Sequence, residues 1–150
     1  MQLAYKATND AEIEELLEFR SYYLNRYVPR VQNLNINEKI VAWFKNDIFL
    51  HRKAYQSIWW EGKKVGYVCI FKQDGQLNLG FLLIFEQYRG RGIGTAVVDT
   101  YIQHALKEEC KLYLCAYLRD TASIRFFEKL GFRQVDKGED ICRLEFEKSF

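Results

Sequence analysis

The residues Arg89-Gly90-Arg91-Gly92-Ile93-Gly94-Thr95 carry the most evident chemistry in this sequence. A run of apolar β-formers leads into them, and an amphipathic helix pattern leads out. Glycine at three alternate positions lets the backbone approach a ligand closely, and its N–H groups can converge on one point. The helix that opens there adds partial positive charge, worth roughly 0.3–1 kcal/mol per anion at the surface and about 2 when partly buried. Arg89 and Arg91 add full charges at the rim. Such a turn holds phosphates, so the ligand it points to is nucleotide-like.

The common phosphate loops do not fit. A P-loop needs Gly-Lys-Ser/Thr at its end, and no lysine follows Gly94. A dinucleotide fingerprint needs G-x-G-x-x-G, whereas these glycines strictly alternate. The plain alternative is an ordinary tight strand-to-helix turn. The pattern that does fit is R-x-x-G-x-G, as Arg89, Gly92 and Gly94. It resembles the pyrophosphate loop of the GNAT superfamily of acyl-CoA-dependent N-acyltransferases. Downstream, residues 120–132 read DTASIRFFEKLGF, which is similar to the family's N-x-x-A-x-x-[LF]-Y-x-x-x-G-F segment. That segment also makes sense locally. Asp120 or Thr121 caps a helix, Ile124, Phe127 and Leu130 share a face, and Gly131 ends it. The resemblance covers residues 55–147, and the first third of the chain matches only in outline.

The resemblance implies acetyl transfer from acetyl-CoA to a primary amine of a small molecule or peptide, by direct attack through a tetrahedral intermediate. It places Arg89, Gly90, Arg91, Gly92, Ile93, Gly94 and Thr95 around the cosubstrate. Asp120 and Phe127 of the second motif join them. It also implies that a backbone N–H of the strand before the loop polarises the thioester carbonyl, with Leu83 and Ile84 as candidates by their distance from Arg89. A lysine-like amine has a pKa of about 10.4, so the reaction needs a base or a site that strips the ammonium of its proton.

Two departures from the family pattern bear on catalysis. The tyrosine that protonates the leaving thiolate in the family aligns with Phe127, which has no proton to give. Tyr117, Tyr113 or a water are the substitutes, and Tyr117 is the candidate acid. A thiol like that of cysteine has a pKa near 8.5, so a thiolate can leave with modest help. Glu86 stands where family members often have proline. Its carboxylate is either the base that deprotonates the amine or a solvated glutamate near Arg89 or Arg91. Asp120 is likewise either a helix cap or a catalytic group.

The elements that must position these residues follow from pattern. A first strand spans 2–7, and Asn9 or Asp10 caps a helix to about Tyr27 with Ile13, Leu16, Leu17 and Tyr23 as its stripe. Pro29 and an Asn-rich stretch at 32–37 break the chain, and a second helix runs over 38–50 with Ile40, Val41, Phe44 and Ile48. Strands at 54–61, 64–72 and 76–85 form a meander, the last two joined at Asp74-Gly75. A helix to about Glu109, a strand at 111–117, the Asp120 helix and a hairpin of 133–137 with 141–147 complete the chain. The expected fold is α/β (α+β), a mixed, mostly antiparallel sheet with helices on both faces. The resemblance adds that the sheet splays open at its centre, between the strand before the loop and the strand after its helix.

A chain of 150 residues makes one domain, 1–150. A net charge of +2 gives no reason to expect a nucleic-acid partner. The start has no basic-then-apolar leader and no run is long enough to span a bilayer, so the expectation is a cytoplasmic protein without a membrane partner. A homodimer is compatible. Cys69, Cys110, Cys115 and Cys142 form no C-x-x-C pair, and only His51 and His104 could join them, so no metal is expected. Cys69 and Cys115 sit in apolar strand patterns and read as reduced core residues. Arg20, Tyr22, Tyr23, Arg26, Tyr27 and Trp43 crowd the first two helices, which cover the acceptor site in the family. Beside an active enzyme stands a second reading, a weak or inactive acyl-CoA-binding sensor, which Phe127 keeps open. A third, a scaffold for interactions, has no residue speaking for it.

Overall fold

Local signals set most element boundaries. The Asn9 side chain accepts a hydrogen bond from the Glu12 N–H while the Glu12 carboxylate answers the Asn9 N–H, a reciprocal cap that starts the first helix. Glu61-Gly62 and Asp74-Gly75 both have positive φ at each residue, the geometry that a two-residue hairpin requires. A computed structural model describes residues 1–28 and 34–147. In chain order these form β1 (Leu3–Ala7), α1 (Asp10–Tyr27), α2 (Leu34–Leu50), β2 (Tyr55–Trp60), β3 (Lys63–Gln73) and β4 (Gln76–Ile84). There follow α3 (Ile93–Glu108), β5 (Leu112–Tyr117), α4 (Thr121–Lys129), β6 (Phe132–Lys137) and β7 (Ile141–Phe146).

The strands make one sheet in the order β1-β2-β3-β4-β5-β7-β6. Every pairing is antiparallel except β4 with β5, which is parallel. One face buries Val65, Val68, Leu112 and Leu114 against Ile93, Val97 and Val98 of α3 and Ile124 of α4. The other face packs Tyr55, Tyr67 and Cys69 against Leu16 of α1 and Ile48 of α2. Helices therefore cover both faces of a mixed sheet, as the sequence pattern implies. Among the described residues no helix is long and apolar enough to cross a membrane.

Three expectations need correction. The second helix begins at Leu34 rather than at residue 38, so Asn35 and Asn37 lie in its first turns. The opening N–H groups of a helix have no intrahelical partner, so residues of modest helix propensity cost least there. Pro29 and residues 30–33 lie outside the described residues. Cys115 is exposed, because α1 and α2 reach its face of β5 at Tyr117, the end of the strand, whereas Cys69 is buried in the cluster with Leu16 and Ile48. Tyr23 is not part of the buried stripe of α1, whose buried residues are Leu16 and Leu24. Trp60 packs on the α3 side, and its neighbour Trp59 lies under the Lys6 ammonium at 3.8 Å.

Gly66 is a close-approach position. A Cβ built there would sit 2.0 Å from the Leu83 carbonyl oxygen. Only glycine lets β3 come this near the end of β4.

Candidate active site

β4 and β5 touch only at their roots. Leu77 pairs with Leu112 and Asn78 with Tyr113, and there the ladder stops. The Asn78 amide donates to the Tyr113 hydroxyl at 2.9 Å and marks the fork. Beyond it β4 continues for six residues along β3, while β5 keeps its pairing with β7 on its other edge. The sheet is thus split down its middle, with residues 79–84 on one lip and 114–117 on the other.

A strand that loses its neighbour keeps unpaired N–H and C=O groups on that edge. The Phe85 N–H donates to the Val65 carbonyl at 2.9 Å, so Phe85 turns its polar groups to β3. In an antiparallel ladder this alternates, so Leu83 also faces β3, while Leu82 and Ile84 face the opening. Of the two residues singled out in the sequence, Ile84 has its N–H on the open edge. Leu82 is a second such donor, which the sequence reading missed. Its signal is only a two-residue offset from Ile84, and that cannot be used until one partner of the strand is known.

The opening leads directly to the glycine loop. A single turn of 3₁₀ helix, Glu86–Tyr88, joins β4 to it. Gly90 and Gly92 have φ of +75° and +81°, a left-handed conformation that costs other residues roughly 1–2 kcal/mol. A Cβ on either would meet nothing within 4 Å. The protein therefore leaves this space free. The first intrahelical bond of α3 runs from the Ala96 N–H to the Gly92 carbonyl, so the N–H groups of Ile93, Gly94 and Thr95 lack helical acceptors. Gly92, as the N-cap, has no side chain to satisfy them. Open space, free donors and the end of a 16-residue helix together make an anion cradle. At its floor Gly94 faces the Phe126 ring, 3.3 Å from where a Cβ would stand, and Ile84 at 3.7 Å.

The remaining candidates divide between the two sides of the split. Tyr117 ends β5 on the α1 side, where its ring stacks on Tyr27 at 5.8 Å. Burial raises its pKa above the usual phenol value, with Arg20 opposing that shift, so it keeps its proton at neutral pH. Asp120 caps α4 by accepting from the Ser123 N–H at 3.2 Å, and its carboxylate also acts on the Tyr27 phenol. Phe127 is buried between Phe126 and Phe132, with ring centroids at 5.0 and 5.4 Å. Its neighbour Phe126 is the ring that faces Gly94. The doublet Phe126-Phe127 was visible in the sequence, but which ring faces α3 depends on how α4 packs. Glu86 is exposed just past the lip. Arg91 lies 5.9 Å from the Tyr88 ring. Arg89 donates through Nε to the Ile84 carbonyl at 2.9 Å and through a terminal nitrogen to the Tyr23 hydroxyl at 3.1 Å. Among the described residues no group of three His, Cys, Asp or Glu side chains is placed to hold a metal ion.

Comparison with known proteins agrees with this geometry. Residues 13–132 match the acetyltransferase (GNAT) family profile. None of the curated proteins matches the chain by sequence. Among solved structures, the chain is similar to the PaiA N-acetyltransferase from Thermoplasma acidophilum in complex with coenzyme A. The TM-score is 0.70 at 13% identity, over 99% of this chain and 100% of that one. It is similar to an N-acetyltransferase from Staphylococcus aureus Mu50, with a TM-score of 0.69 at 12% identity over 95% and 99% of the two chains. Naa50 of Arabidopsis thaliana, in complex with the bisubstrate analogue CoA-Ac-MVNAL, aligns over 100% of both chains with a TM-score of 0.64 at 18% identity. At these identities the structural likeness speaks for the fold.

Proposed function

This chain belongs to the acetyltransferase (GNAT) family, and from that premise we propose that it transfers the acetyl group of acetyl-CoA to a primary amine of a small molecule or peptide. The observation that carries this reading is the junction of the β4–β5 split with an anion cradle at the start of α3. Coenzyme A needs both. Its diphosphate suits the free N–H groups of Ile93, Gly94 and Thr95, and its pantetheine arm is an extended chain of amides that can replace the absent strand along β4.

With the thioester in the split, the Ile84 and Leu82 N–H groups are the donors that face its carbonyl oxygen. Donors placed where negative charge develops lower the barrier more than they stabilise the ground state. The neutral amine attacks the carbonyl carbon, the C–N bond forms, and the oxygen takes the charge. Collapse re-forms the carbonyl and breaks the C–S bond, which releases coenzyme A as a thiolate. The amine proton goes to Glu86, directly or through water, and Tyr117 is the side chain available to protonate the sulfur. An acceptor that arrives as an ammonium is also attracted to the Glu86 carboxylate.

A second reading, an acyl-CoA sensor without turnover, is favoured by one observation: the position of the family's tyrosine acid holds a buried phenyl ring, Phe127. A panel of primary amines, including a lysine peptide and a diamine, separates the two. Thiol release that depends on the amine, with the acetylated product detected by mass, supports the enzyme. Tight acetyl-CoA binding with no amine-dependent thiol release supports the sensor.

A further inference from the structure

Between two neighbours, the Ile84 carbonyl would accept an N–H from the adjoining strand. β5 has already left, and Arg89 Nε takes the strand's place at 2.9 Å. The same guanidinium reaches the hydroxyl of Tyr23, 66 residues earlier in the chain, at 3.1 Å. The Tyr23 ring lies parallel to Tyr27, with centroids 6.3 Å apart and planes at 6°. Tyr27 stacks on Tyr117, the end of the opposite lip, and is influenced by Asp120 at the start of α4. One unbroken series of contacts therefore runs from the β4 lip through Arg89, Tyr23 and Tyr27 to the β5 lip. It crosses the split on its α1 side. The base of α1 is held separately, because the Tyr67 hydroxyl donates to Glu15 at 2.7 Å and Lys64 pairs with Glu12 at 3.1 Å.

We propose that this series is a clasp that fixes the width of the split on the acceptor side, and that Arg89 and Tyr23 are positioning residues for acyl transfer. The Arg89 side chain then serves β4 and α1 instead of the diphosphate, whose ligands are backbone N–H groups. The inference rests on the reading that the split holds the thioester. Its physical basis is the planar guanidinium, which serves two acceptors at a fixed angle; a lysine ammonium has no such fork. A shift of about 1 Å in a reacting group can lower the rate by about 10²-fold, so a contact that adds little stability can still set the rate.

The test uses Arg89→Lys, Tyr23→Phe and the double variant. Lysine keeps the charge, and phenylalanine keeps the ring that stacks on Tyr27. Each single variant should lower kcat by about 10-fold or more, and the double variant should be no worse than the poorer single, because coupled residues are not additive. Calorimetric affinity for coenzyme A should change less than about 2-fold, since no phosphate contact is lost. Multiplying effects on kcat would overturn the clasp. So would an Arg89→Ala protein that binds coenzyme A weakly, by a deficit against wild type that shrinks at high salt, and binds S-acetylpantetheine normally, since that behaviour marks a phosphate ligand. Amide hydrogen exchange gives a readout independent of turnover. Both single variants should speed exchange at residues 82–85 and also at 116–117, and a change confined to one lip would overturn the clasp. If the wild-type protein acetylates no amine, the transfer reading fails, and the exchange data still decide the clasp.

Discussion

Phe127→Tyr adds one hydroxyl to a ring that is 7% exposed and packed edge-to-face between Phe126 and Phe132. Two outcomes have different magnitudes. If the para position points toward the split, the new hydroxyl reaches the leaving sulfur and supplies the missing acid. A positioned general acid contributes about 10²–10⁴-fold, which is the ceiling for the gain in turnover. If the para position points into the core, the hydroxyl is buried without a partner at a cost of about 1–3 kcal/mol. For a domain of this size each kcal/mol lowers Tm by about 2–4 °C, so the expected loss is about 2–12 °C. The motif places a tyrosine here in the family, so the first outcome is expected unless Tyr117 already protonates the sulfur. Thiol release under single-turnover conditions, with a melting curve on the same sample, distinguishes them. An unchanged rate with a Tm lowered by several degrees would refute the idea that Phe127 marks a vacant acid.

Gly66→Ala should destabilise the protein by about 1–3 kcal/mol or more, because the added Cβ meets the rigid Leu83 carbonyl at 2.0 Å; an unchanged denaturant midpoint would contradict that. Glu86→Gln should leave acetyl-CoA affinity intact while kcat/KM falls by about 10²–10⁴-fold, with the deficit narrowing as pH approaches the amine's own pKa; a wild-type pH–rate profile would make Glu86 a plain surface charge. Stability should fall as pH rises above about 9. Burial pushes the Cys69 thiol from 9.0 to about 12 and the Tyr101 phenol from 10.0 to about 12. The unfolded chain gives up these protons first, so stability is complete below its pKa values and is lost progressively toward pH 12. Cys69→Ala should flatten the lower part of that decline in a series of melting curves.

The sequence was most legible where the signal is local. The alternate glycines, the Asn9 cap, the Asp74-Gly75 turn and the apolar periods place the elements within a few residues, because neighbouring residues decide them. What depends on tertiary partners was harder to read. Leu83 and Ile84 look equivalent along the chain, and only the Phe85–Val65 bond shows which of them faces the opening. Cys115 sits in a strand pattern as apolar as that of Cys69, yet it is exposed, while Tyr117 on the same face packs against the helices. The partner of Arg89 lies on α1, and nothing near either residue announces the contact. That Phe126 is the ring facing Gly94 could not be read from the doublet, since the packing of α4 on α3 decides it. The split itself entered through the family resemblance, because no short-range pattern tells a strand to part from its neighbour.

The central claim is that the loop of residues 89–95 and the adjoining split bind acetyl-CoA for transfer. Titration calorimetry of acetyl-CoA into the wild-type and Gly92→Val proteins tests it most directly. Gly92 has left-handed φ and open space at its Cβ position, so valine there strains the turn and fills the cradle. The account predicts one acetyl-CoA bound per wild-type chain, and none detected for a Gly92→Val protein whose circular dichroism shows an intact fold. Equal affinity in the two folded proteins would contradict it.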